Sequence, residues 1–148
     1  VSLPVAEQAA DAFLELAQAQ LQDIEIFPGP PAGPAPERQV LWIEESESEY
    51  EWRTLGVHPG NRSEATKLTV HLAVYRQAES HRAAQAAARA AAAEFEEQIE
   101  QHVLGDTCDL GGVVTDARVS KATRTWTADA DGWTRHVVLE ITANNYPG

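Results

Sequence analysis

Residues 65–76, ATKLTVHLAVYR, alternate in character: Leu68, Val70, Leu72 and Val74 fall on one face of an extended chain, Lys67, Thr69, His71 and Tyr75 on the other. A period of two is the signature of a β-strand with one face buried. Such a strand sets conditions for the rest of the chain, because its apolar face has to be covered and its backbone groups have to find neighbouring strands. Directly after it the period changes. Residues 78–103 predict a long helix, alanine-rich through AAQAAARAAAAEF, with larger apolar side chains only late, at Phe95, Ile99 and Val103. Alanine is the strongest helix former and adds little volume, so this helix can lie close on a flat sheet.

The remaining segments fit around that pair. Residues 4–22 predict a first helix: Pro4 suits the first turn, and Val5, Ala9, Ala12, Phe13, Leu16, Ala17 and Leu21 recur at helical spacing. Residues 23–27 and 39–43 read as short strands. Gly105 ends the long helix, and residues 113–127 and 133–143 form a hairpin around ADADG, where Asp131-Gly132 is the turn signal. Trp133, Val137, Leu139 and Ile141 alternate inward, whereas Val113, Ala117 and Val119 change parity before Trp126, which predicts a bulge. The order of elements predicts an α+β fold: a mixed, largely antiparallel sheet with two main helices packed on one face, as one domain over residues 1–148.

The 23 Asp and Glu outweigh 11 Lys and Arg, for a net charge of −12. Duplex DNA and anionic membranes repel such a surface. No run approaches the roughly 18 apolar residues of a membrane span, and no apolar signal core is seen at the start of the sequence. Arg118, Lys121, Arg124 and Arg135 gather on the final hairpin, but Arg118 and Arg124 share one strand parity and Lys121 the other, so they read as a charged sheet face or an interface rim. The single cysteine, Cys108, excludes an intrachain disulfide and fits a reducing compartment; Asp106 and Asp109 beside it disfavour a thiolate.

Motifs for chemistry are absent. The sequence has no GxxxxGK, GxGxxG, CxxC or HExxH. His58, His71, His81, His102 and His136 lie at unrelated places; His81 and His102 share the long helix, but at 1.5 Å per residue they stand about 31 Å apart. His71 sits among outward positions and reads as a satisfied or exposed surface histidine rather than a ligand. No catalytic, cofactor-binding or metal-ligating residue is expected, and no cofactor.

Three segments have contact readings beside plainer ones. PGPPAGPAPER, residues 28–38, excludes regular structure and is either a connecting loop or an arm lying on a neighbour, with Pro30, Pro31 and Pro34 its candidate contact residues. EESESEYE, residues 44–51, is a solvated loop or strand edge, or else a negative rim that meets a partner through Glu47, Glu49, Tyr50 and the following Trp52. On the long helix Arg82 and Arg89 come early and Glu97 and Glu100 late, against the macrodipole preference; either the charges are merely tolerated, or a basic half-helix meets the acidic half of a neighbour.

Trp52-Arg53-Thr54-Leu55-Gly56, the helix-to-loop junction at Leu110-Gly111-Gly112 and the terminal Val137-to-Ile141 strand occur in an order of elements that resembles the tail terminator proteins of long, non-contractile-tailed bacteriophages, and the head–tail joining proteins related to them. The likeness runs over nearly the whole chain as layout and loose pattern. It implies a non-enzymatic virion protein, assembled in the host cytoplasm, that forms a hexameric ring on the finished tail tube. Its implied partners are copies of itself, the tail tube protein and a neck or head-completion protein, with DNA passing through the lumen without specific binding. An acidic wall would suit that passage. Another neck or head-completion protein, or a small binding domain or enzyme, remains the alternative.

Overall fold

The computed structural model describes residues 4–29, 39–52, 62–105, 109–129 and 132–145, with backbone only at 50–52, 62–64 and 145. Helix α1 (Val5–Gln20) leads to strand β1 (Glu25–Phe27), β2 (Gln39–Trp52) and β3 (Arg62–Gln77). Helix α2 (His81–Gln98) continues as a π-helical turn (Ile99–Leu104), and β4 (Asp116–Ala128) and β5 (Gly132–Asn145) close the chain as a hairpin. Among the described residues the sheet has five strands in the order β1-β2-β3-β5-β4. Only β1 and β2 are parallel; the other pairs are antiparallel. Both helices lie on one face, α1 over β1, β2 and β3, and α2 over β3 and β5. The architecture is the α+β arrangement that the sequence predicts.

The alternation in β3 decides which face that is. Leu68, Val70, Leu72 and Val74 are fully buried, and register places Leu68 beside Ile141, Val70 beside Leu139 and Leu72 beside Val137. Phe13 of α1 and Phe95 and Ile99 of the α2 end cover this apolar floor, with Ala9 and Ala17 from α1. Ala84, Ala88 and Ala92 recur every fourth residue as the buried stripe of α2, which is how a helix backbone comes close to a sheet. Ser80 caps α2, its hydroxyl accepting from the Ala83 N–H at 3.1 Å. In the π turn the i→i+5 spacing lines Leu104 up with Ile99, so Ile99, Val103 and Leu104 are all buried before Gly105, at φ 70°, ends the helix.

Two stretches refine the sequence reading: of the loop and strand-edge readings of the acidic run the strand holds, and the second short strand runs on into it. β2 does not stop at residue 43. The acidic run is strand throughout, with Glu45 to Trp52 paired residue by residue to Thr69 to Arg62 of β3. Glu45, Glu47 and Glu49 point to the open side, and Ser46 and Ser48, which are half-buried, to the helix side. Glutamate has low β propensity, but a full ladder to a central strand outweighs it. The hairpin does carry the expected bulge, between Val119 and Lys121. The shift puts Lys121 on the open face with Arg118 and leaves Arg124 on the helix face, so the parity grouping of Arg118 with Arg124 is corrected. At the hairpin end a side chain at Gly132 would stand 2.4 Å from the Arg76 carbonyl and 2.8 Å from the Tyr75 ring, which only glycine avoids.

Replacing Leu72 by alanine should cost about 2–5 kcal/mol in urea denaturation. Replacing Thr69, on the other face of the same strand, should cost about 1 kcal/mol or less.

Candidate functional site

The open face of the sheet is not a uniform polar surface. At its centre β2, β3 and β5 bring Trp42, Glu44, His71 and His136 together. Trp42 pairs directly with His71 across the strands, and their rings stack at 5.0 Å with 6° between planes. His136 is the diagonal neighbour of His71, which pairs with Val138. The Nδ1 of His71 and the Nε2 of His136 are 2.8 Å apart. The bulge between Ile43 and Glu45 turns Glu44 onto the same face, where its carboxylate accepts a hydrogen bond from His71 Nε2. Only 13% of the His71 side chain is exposed. His71 is therefore on the face expected, and of the two readings, satisfied or exposed, it is the satisfied one.

The chemistry of the pair follows from proton counting. A carboxylate only accepts, so His71 Nε2 carries its proton toward Glu44 and, in the neutral ring, Nδ1 accepts from His136 Nε2–H. One proton lies between the two rings, so a further proton places a charge on a pair already packed under Trp42. Burial, and then the His71 charge, hold the His136 pKa below the ordinary histidine value, with Glu44 acting weakly the other way. This is a relay-like line of carboxylate and two imidazoles. Among the described residues, no group of three or more His, Cys, Asp or Glu is arranged to hold a metal ion.

A second cluster lies on the helix side, at the outer flank of α2. Arg89 and the small side chains Ala86, Ala90 and Ala93 form one wall of a groove of roughly 400 Å³, and Arg124 and Arg135 the other, with Glu96 at its end. Glu96 holds Arg124 in a fork, at 2.7 and 3.2 Å. Arg135 lies over the ring of Trp126 at 5.3 Å, and Trp126 leans on Trp133. Trp126 is 54% exposed. The Trp133 Nε1 and one Arg135 Nη are buried with no hydrogen-bond partner among the described residues. Burial first, then Arg89 and Arg124, disfavour the Arg135 charge. A larger cavity of about 520 Å³ opens between the α1 end and α2, lined by Gln22, Gln39, Arg76, Gln98 and His102 among others, where Arg76 is held by Gln39 at 2.6 Å.

The contact residues named from sequence are spread over the molecule. Glu47 and Glu49 are exposed on β2, Glu47 lying 4.0 Å from Lys67. Arg82 and Arg89 are exposed on α2; Glu97 accepts from Gln101 at 3.0 Å, and Glu100 is exposed on the π turn. Tyr50 and Trp52 lie on β2, where the backbone alone is described, and Pro30, Pro31, Pro34 and Cys108 lie outside the described residues. Sequence reasoning missed the Trp42–Glu44–His71–His136 line and the Trp126–Arg135 flank, since both depend on cross-strand register. Among the described residues no helix is long and apolar enough to cross a membrane. No protein-family model matches the chain. No curated protein matches it.

Because the fold holds His136 below its ordinary pKa, the unfolded chain binds a proton first as pH falls. The stability tied to His136 is complete above about pH 6.5 and is lost as pH drops through that value toward the lower folded pKa. Thermal melts at pH 7.5 and 5.5 should show a drop in Tm that is smaller in His136→Gln. The groups facing the ring are His71, Glu44 and Trp42, so Glu44→Gln should deepen the drop.

Proposed function

We propose that this chain is a structural, non-catalytic virion protein: a tail terminator of a long-tailed, non-contractile bacteriophage. One observation carries the reading. Among the described residues the sheet is covered by helices on one side only, and the outer edges of β2 beyond Trp42 and of β4 carry no further strand, which leaves surface that other protein can cover. Open edges of this length are a hazard in a solitary domain and a resource in an assembly. The order of helix, strands, alanine-rich helix and hairpin, with its likeness to that family, supports the same reading.

In this role the protein works as one subunit of a hexameric ring at the head-proximal end of the tail tube. It stops tube polymerisation and joins the tail to a neck or head-completion protein. Assembly takes place in the host cytoplasm, and the acidic surplus lets DNA pass through the lumen without specific binding, since phosphates are not held by an acidic wall. Another neck component is the second reading that the open face supports; it differs in ring symmetry, which native mass spectrometry counts.

Mixed with growing tail tubes, the purified protein should appear in negative stain as rings seated at one tube end, and capped tubes should stop lengthening. Tubes that keep growing with bare ends would overturn the proposal.

A further inference from the structure

The fold sorts the charge of this chain. Residues 1–51 hold eleven Asp and Glu and a single Arg, Arg38; residues 52–148 hold twelve Asp and Glu and ten Lys and Arg. The first group builds α1, β1 and β2, one end of the sheet; β5 and β4 form the other end. At the acidic end β1 pairs with β2 only at Val40, Leu41 and Trp42, so from Ile43 onward the outer edge of β2 has no strand on it among the described residues. At the other end β4 is the outermost strand over its whole length of 13 residues.

Register connects the two edges. Glu47 pairs with Lys67, Lys67 with Thr142, and Thr142 with Arg118. Glu45 pairs with Thr69, Thr69 with Glu140, and Glu140 with Lys121. Two adjacent rows therefore cross the open face, each beginning with an exposed glutamate on β2 and ending with an exposed cation on β4. The next row, from Glu49 through Ala65 and Asn144, ends at Asp116, which Arg118 already holds at 3.1 Å.

Beside a second copy in the same orientation, β2 of one runs antiparallel to β4 of the other, the polarity that an antiparallel ladder needs. Two β2 edges would set glutamate against glutamate, and two β4 edges cation against cation, so like edges repel.

We propose that the acidic outer edge of β2 in one copy docks on the basic outer edge of β4 in the next, in the register that sets Glu47 on Arg118 and Glu45 on Lys121. The inference rests on the reading of the chain as a ring subunit and names the joint of that ring. The contact is heterologous, the type that builds a ring when the rotation between successive copies closes.

Charge reversal tests it. Arg118→Glu with Lys121→Glu makes one variant, and Glu45→Lys with Glu47→Lys another; all four side chains are exposed, and circular dichroism melts check that each variant folds. In sedimentation velocity each variant alone should associate at least about tenfold more weakly than the wild type, and high salt should weaken the wild type too. An equimolar mixture should recover assembly, with the two variants alternating and an even subunit count in native mass spectrometry. A chain with all four reversals should recover it as well. If the wild type assembles but the reversed variants assemble equally well, or the mixture fails to recover, the β2–β4 joint is wrong while the ring reading stands. A wild type that never associates and leaves tube ends bare removes the ring reading itself.

Discussion

The pleat of β3 is the constraint on which the other features depend. Along this central strand each step of one residue moves from apolar core to open face, so Leu68, Val70, Leu72 and Val74 meet the helices while Lys67, Thr69 and His71 cannot. The helices settle on that floor. Once they occupy it, the opposite side of the sheet is left to whatever β2, β5 and β4 place there. A slip of one residue in β3 would bury Lys67 and expose Leu68, and would dissolve both the core and the charged rows at once.

The two bulges act on that alternation where it would otherwise give a different surface. Between Ile43 and Glu45 the extra residue lets Ile43 point into the core while both Glu44 and Glu45 reach the open face. Between Val119 and Lys121 the second bulge keeps Val119 and Ala122 against the helix side and turns Lys121 outward beside Arg118. Each bulge thereby adds a charge to the open face without removing an apolar side chain from the core. Ser120, the extra residue of the second, binds the Glu140 carbonyl at 3.1 Å and so has its own partner.

This shows how much could be seen in the sequence. Periodicity located β3, α2 and the hairpin, because each carries enough apolar residues for its period to stand out. The parity change before Trp126 even announced the second bulge. It did not place it, and a bulge one residue earlier or later sends Lys121 to a different face; the grouping of the hairpin cations failed for that reason. The acidic half of β2 was hard to read for another reason. Glu-Ser alternation has the period of a strand but no apolar half, so the pattern is driven by its ladder to β3 and not by burial. The histidine line had no local signal at all: Trp42, His71 and His136 are far apart in sequence and meet only through register.

The same register gives the open face its internal logic. Lys67 stands between Glu47 and Glu140, 2.8 Å from the latter, and is raised in pKa chiefly by that hydrogen bond. It is the one described cation in the middle of a face whose glutamates otherwise gather at one edge. Among the described residues no cation lies within salt-bridge distance of Glu45 or Glu49, Lys67 acting on Glu45 only from farther off, and repulsion between the glutamates along β2 is a cost to the isolated chain. The cost is small in water and grows as the edge is desolvated, unless opposite charges arrive with the surface that does the desolvating. An edge of this kind therefore discriminates: it tolerates solvent, rejects a second acidic edge, and is stabilised only by a strand whose cations lie at the same rows, which is the arrangement the opposite edge of the same sheet presents.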